Sequence, residues 1–203
     1  MSGGKRPSKL PSMTSTMIHE WRSYRLKPGA AGQYLSLFAE RGLPLATKHL
    51  PLMGYWLAET GPLNVIHHLW SYADWSEREA RRAALAQESE WINGFIPDAF
   101  TLVEEQQNQL LRLSATSAVF ETALARRCTV GVAIPRGAPL FTNQWAGLVT
   151  GAAPDGAIAA WQTLSGGASQ SIALLARSTE PLPTSADAEA SHTVLRPLLF
   201  SPL

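Results

Sequence analysis

The side chains best suited to chemistry fall at every second position of two short segments. Met17–Leu26 (MIHEWRSYRL) puts Glu20, Arg22 and Tyr24 on one face of an extended strand, opposite Trp21 and Ser23. Val65–Tyr72 (VIHHLWSY) groups His68, Trp70 and Tyr72 opposite His67, Leu69 and Ser71. Arg22 offers a planar fork for a carboxylate or enolate oxygen. His68 is of a type that exchanges protons near neutral pH, and the aromatic rings supply apolar contact that excludes water. His68, Arg22 and Glu20 are therefore the candidate catalytic residues, and Tyr24, Trp56, Trp70 and Tyr72 the candidate substrate-binding residues. The same residues also admit a structural role, with Glu20 and Arg22 as an ion pair and His68 as a hydrogen-bonded core histidine, since buried polar groups must be paired.

Other groups are weaker candidates. His67 and His68 are adjacent, so a regular strand points them to opposite faces and they cannot share one metal; no metal site is expected. His19-Glu20 resembles half of a zinc-protease motif but lacks a second histidine at helical spacing. Lys48 and His49 fall at a helix end, where positive charge suits the macrodipole. Arg78, Arg81 and Arg82 stand among Glu77, Glu79 and Glu88 and read as a solvated helix face. Glu104 through Gln109 reads as an exposed or edge strand, and Cys128 as an ordinary thiol without a neighbouring base. No glycine-rich phosphate loop precedes a helix, and no serine sits in a nucleophile elbow.

The elements that must position these residues are legible over 17–113. A strand over Met17–Leu26 ends at Lys27-Pro28-Gly29. A helix follows over Ala30–Glu40, divided or kinked at Gly42 and Pro44. Leu52–Thr60 and Val65–Tyr72 form a hairpin across Gly61-Pro62-Leu63-Asn64. Asp74 and Glu77 have capping-box spacing for a helix to about Ala86, and Phe100–Leu113 closes the unit as a strand. The order β-α-β-β-α-β is the ferredoxin-like arrangement, an α+β class. Over 114–203 strands are expected at Ala118–Arg126, Trp145–Thr150, Ala157–Leu164 and Thr193–Phe200, with Pro197 at an edge and a loop at Pro181–Ser185. Ser171–Arg177 is apolar and ambiguous. Gly147…Gly151…Pro154…Ile158…Trp161 echoes Gly54…Gly61-Pro62…Ile66…Trp70, which reads as a degenerate second copy of the same unit. The division is then a basic tail over 1–16, a first unit over 17–113 and a second over 114–203.

The chain has 203 residues, 45% hydrophobic and 16% charged, with net charge +1. That balance excludes a disordered chain and argues against a nucleic-acid binder with a basic stripe. One cysteine excludes an internal disulfide framework. No apolar run approaches the ~20 residues of a membrane span. The tail over 1–16 carries Lys5, Arg6 and Lys9 without an acid and reads as disordered, the alternative being a transit peptide. The cytoplasm is the default compartment, with mitochondria the alternative.

Several of these runs resemble the NIPSNAP family. They are Glu20-x-Arg22-x-Tyr24-x-Leu26-Lys27-Pro28-Gly29, Gly42-Leu43-Pro44, Gly54-Tyr55-Trp56…Glu59-x-Gly61-Pro62-Leu63-Asn64, and His68-Leu69-Trp70-x-Tyr72 followed by Arg78…Arg81-Arg82-Ala83-Ala84. The resemblance is strong over 17–113; beyond that only Phe200-Ser201-Pro202-Leu203 looks familiar. It implies a dimeric α/β barrel in which two ferredoxin-like sheets, from two subunits or from two halves of one chain as a pseudo-dimer, enclose a cavity. The wider superfamily includes cofactor-free monooxygenases, haem-degrading enzymes, small lyases and non-catalytic proteins, so the resemblance names no reaction and no cofactor. Mammalian relatives are associated with mitochondria and with vesicle or mitophagy partners. The family pattern has apolar residues where His67 and Leu69 stand, which assigns that face to the helices. His68, Trp70, Tyr72, Glu20, Arg22 and Tyr24 are then expected to face the barrel cavity. The expected function is binding of a small aromatic or carbonyl-containing molecule there, with cofactor-independent oxygenation or isomerisation as its chemistry, in a homodimer. A non-catalytic binding or scaffold protein of the same fold is the alternative.

Overall fold

Each boundary in the first half has a local cause. The structure, a computed structural model, describes residues 16–180 and 190–203. The expectations for residues 1–15 and for the Pro181–Ser185 loop lie outside these ranges. Strand β1 (Ile18–Leu26) ends at the turn where Gly29 takes a φ of 79°. Helix α1 (Ala31–Leu37) runs through a π-helical turn, Phe38–Gly42, into α2 (Leu43–His49). Pro44 sits in the first turn of α2, where an N–H is not needed, so the expected division is a change of winding rather than a break. Strands β2 (Leu52–Ala58) and β3 (Val65–Tyr72) form the hairpin. Asp74 caps α3 (Trp75–Leu85), its Oδ1 accepting from the Glu77 amide at 2.8 Å. A second π-helical turn, Glu90–Phe95, leads through α4 (Ile96–Phe100) to β4 (Val103–Thr116).

The second half departs from expectation at its start. Ala118–Ala125 is a helix, α5, and not a strand. Ser117 caps it, and Phe120 and Ala123, one turn apart, are its buried residues. Eight residues of apolar and polar alternation fit either period, and an Ala- and Leu-containing run behind a serine cap resolves to the helix. Strands β5 (Ala146–Thr150), β6 (Ala157–Ser165), β7 (Ser171–Leu175) and β8 (Ser191–Pro197) follow.

All eight strands close one antiparallel barrel in the order β1-β3-β2-β8-β5-β7-β6-β4. Read around it from β4, each half contributes its fourth, first, third and second strands. Among the described residues, α1–α4 cover strands of the first half on the outside. β8 is therefore flanked on both sides, by β2 and β5, and Pro197 is not at a sheet edge; the β5 ladder stops at Leu195, short of the proline.

Two large apolar cores result, beside a small cluster of Val149, Ala160, Ala173 and Leu175 in the second half. One fills the barrel, with Trp21, Trp56, Leu69, Leu111, Trp161 and Leu174 pointing inward and Phe120 and Ala123 of α5 packed among them. An eight-stranded barrel is about wide enough for side chains to fill it. The other lies outside, between β1–β3 and the helices, and includes Tyr24, Tyr34, Phe38, Tyr55, Ile66, Trp70 and Phe95. Among the described residues no helix is long and apolar enough to cross a membrane.

Candidate functional site

The strand faces are the reverse of those expected. His67 and Leu69 point into the barrel, whereas Arg22, Tyr24, His68 and Trp70 lie beneath the helices. Both faces of these strands are buried, so apolar character did not distinguish them. The polar set lies on the helical side because that is where α3 brings complementary guanidinium groups.

There a cavity of about 200 Å³ opens between sheet and helices. Arg22, Tyr24, Tyr55, His68 and Trp70 line it from the strands, and Tyr34, Phe38, Arg82, Trp91, Phe95 and Phe100 from the helical side. Its polar centre is His68. The Trp70 indole N–H donates to His68 Nδ1 at 2.6 Å. An indole nitrogen can only donate, so Nδ1 is the acceptor and the proton sits on Nε2. That N–H has no partner. The ring is clamped edge-on by Tyr24 and face-on by Tyr55, with centroids 4.8 and 5.1 Å away. Burial, reinforced by the Arg22 guanidinium, holds the imidazole well below its ordinary pKa. His68 is thus a neutral donor at neutral pH, and the proton exchange expected of it is not what its surroundings favour.

Arg22 registers directly against His68 across the β1–β3 pair. Its contacts are long: 3.5 Å to Glu20 Oε1 and 3.4 Å to Gln106 Oε1, with Nε unpartnered. The Tyr55 hydroxyl also lacks a partner. Burial raises the phenol pKa of Tyr24, Tyr34 and Tyr55, so all three keep their protons.

Glu20 is fully buried but stands behind the cavity. Arg78 grips it with Nε and Nη2 at 3.0 and 3.2 Å, and Arg82 adds Nη1 at 3.4 Å. Arg78 and Arg82 are therefore not a solvated face; one turn apart on α3, they point at the sheet, while Arg81 turns to Glu77 and the His49 carbonyl. Tyr72 is buried on the helical side but does not line the cavity, and its phenol is likewise raised by burial. Trp56 lies in the barrel, stacked on Trp21 at 5.4 Å and 12°.

The structure thus gathers Arg22, Tyr24, His68 and Trp70, and leaves out Glu20, Tyr72 and Trp56. Sequence reasoning missed Tyr55, Tyr34 and Arg82. For Tyr55 the available signal was strand alternation, with the neighbouring Trp56 taken instead. For Arg82 it was the i, i+4 spacing from Arg78.

A second, smaller cavity of about 160 Å³ lies at the barrel mouth beside His67. His67 Nδ1 lies 3.2 Å from Trp21 Nε1 and 2.8 Å from Ser23 Oγ. The rim carries an Arg25–Glu105 pair at 3.4 Å, with both side chains about half exposed.

Known proteins resemble this chain chiefly over its first half. Protein NipSnap homolog 3A of Homo sapiens is 34% identical over 104 residues, 51% of this chain and 42% of that protein. The match therefore spans less than half of that relative's length. A nipsnap family protein of unknown function from Agrobacterium tumefaciens, known from its crystal structure, is 34% identical over 51% of this chain and 94% of its own, with a TM-score of 0.49. An anthrone oxidase-like protein is similar over 92% of this chain and 93% of its own at 9% identity, with a TM-score of 0.50, a likeness of fold that takes in both halves. The NIPSNAP family model matches residues 19–118, the segment that builds the cavity, and the chain belongs to the NIPSNAP family.

Proposed function

We propose that the protein binds a small aromatic or carbonyl-containing molecule in the helix-covered cavity. The observation that carries this reading is the unpartnered Nε2–H of His68, buried among aromatic walls beside Arg22. A buried donor without an acceptor costs on the order of 1–3 kcal/mol, and a ligand oxygen would recover it. His68, Arg22, Tyr24 and Trp70 would contact the ligand; Glu20 would fix Arg22. Any reaction would be cofactor-independent oxygenation or isomerisation of an activated carbonyl compound, with Arg22 and His68 holding the developing anion.

The non-catalytic reading has its own support. Among the lining residues none is set to take a proton: His68 Nδ1 is occupied by Trp70, and the tyrosines are held neutral. We read the second half as a copy of the ferredoxin-like unit, on the repeated strand order. A homodimer is then not required to enclose the cavity, whose lining comes from Arg22 to Phe100 of one chain.

Thermal-shift measurements against aromatic acids, quinones, flavins and haem test the reading. Ala86 lies at the cavity rim and is exposed. Ala86→Phe should abolish the shift given by any hit and leave the ligand-free melting temperature nearly unchanged. A hit that survives Ala86→Phe and His68→Ala together would place binding elsewhere.

A further inference from the structure

Resting on that cavity reading, we infer that the ligand is held as an oxyanion, an aromatic phenolate or enolate, with His68 Nε2–H and Arg22 as its donors. Trp70 is the positioning residue that fixes which nitrogen of His68 carries the proton.

Charge is the first support. The charged residues lining the cavity are Arg22 and Arg82, both cations. Their shared counter-ion, Glu20, is outside the lining and is divided among three guanidinium groups, those of Arg22, Arg78 and Arg82. One buried carboxylate cannot neutralise three cations, so the cavity wall is left electropositive. Arg78 has a further partner in Glu79 at 2.6 Å, whereas among the described residues Arg22 and Arg82 reach no carboxylate but Glu20.

Hydrogen bonding is the second. His68 Nε2, Arg22 Nε and the Tyr55 hydroxyl are buried without partners, and the first two can only donate. His68 Nδ1, the one acceptor on that ring, is taken by Trp70. A neutral phenol or enol would bring its own O–H against these donors. Its conjugate base offers only lone pairs to them, in a site of low polarity where a charge-assisted bond is strong. The volume suits one aromatic ring with a substituent, being somewhat above the roughly 150 Å³ that accommodates benzene.

Trp70 acts through His68. Without the indole N–H, Nδ1 is free to take the proton, and Nε2 can become an acceptor. The donor would then no longer be fixed, and the preference for the anion would weaken.

The test uses the full chain with para-nitrophenol, whose ionised form is read directly from its yellow absorbance. Para-nitroanisole, which has the same ring and cannot ionise, is the control. The bound phenol should ionise at a proton concentration about tenfold higher than free in solution, a pKa lowered by about one unit. Trp70→Phe should shrink that shift, whereas a purely structural role would weaken both ligands alike and leave the bound phenol's pKa where it was. Arg82→Gln, at a partly exposed position, should shrink it as well and serves if Trp70→Phe does not fold. If nitroanisole binds and nitrophenol binds as the neutral phenol, the oxyanion inference is overturned and the cavity reading stands. If neither binds, both fall.

Discussion

Glu20 shares its fully buried carboxylate among Arg22, Arg78 and Arg82. Removing it leaves Arg78, itself only 11% exposed, facing the sheet without its principal counter-ion. Glu20→Ala should cost roughly 3 kcal/mol of stability, seen as a lower urea midpoint. Three buried histidines, His19, His67 and His68, give a pH dependence of one sign. Burial lowers His19 to about 3 and His67 to about 4. Unfolding returns both to about 6.5, so the unfolded chain binds more protons below that pH. Their stabilising contribution is complete above about pH 6.5 and fades as pH falls towards about 4 and then 3. At roughly 1.4 kcal/mol per unit the loss is of order a few kcal/mol for each histidine. His19→Gln, which keeps a neutral polar side chain against Ser71, should flatten the profile between pH 6.5 and about 3, measured by denaturant unfolding across pH.

Elements succeed or fail on local packing and capping. A Cβ on Gly54 would sit 1.9 Å from the Trp56 ring, which is itself stacked on Trp21. Neither indole has room to retreat, so Gly54→Ala should destabilise by about 1–3 kcal/mol in thermal or urea unfolding. Asp74→Ala removes the cap of α3 and should cost about 1 kcal/mol. These two features differ in legibility. The Asp74–Glu77 spacing was readable because a cap is a contact between neighbours in sequence. The strand expected at 118–126 was misread because eight residues cannot separate a period of two from one of 3.6 when small apolar residues dominate. What makes α5 a helix in this fold is that Phe120 and Ala123 enter the same core as Trp161.

For the whole molecule, the second half completes the barrel. A chain truncated after Ser114 would expose Trp21, Trp56, Leu69 and Leu111 along one sheet face. It should pair with a second copy or aggregate in light scattering; a soluble monomer would count against the closure described here. The C-terminal residues belong to this closure too. The Tyr55 amide donates to Ser201 Oγ at 2.9 Å, and the Leu203 amide to the Met53 carbonyl at 3.1 Å. Phe200 packs on Tyr55 and Phe38 at 5.3 and 5.8 Å, joining the end of the chain to the core around the cavity.

The sequence by itself determined the first-half strands, the α3 cap and the grouping of Arg22 with Tyr24 and of His68 with Trp70. Alternation along a strand and spacing along a helix are properties of a few neighbouring residues. Only the tertiary structure decided which face of those strands lines the barrel and which lies under helices. Alternation sorts side chains into two sets without naming the partner of either, and here both sets are buried. The same limit hid Arg82 and Tyr55. Their place at the cavity depends on how α3 and β2 pack against β1 and β3, residues distant in the chain.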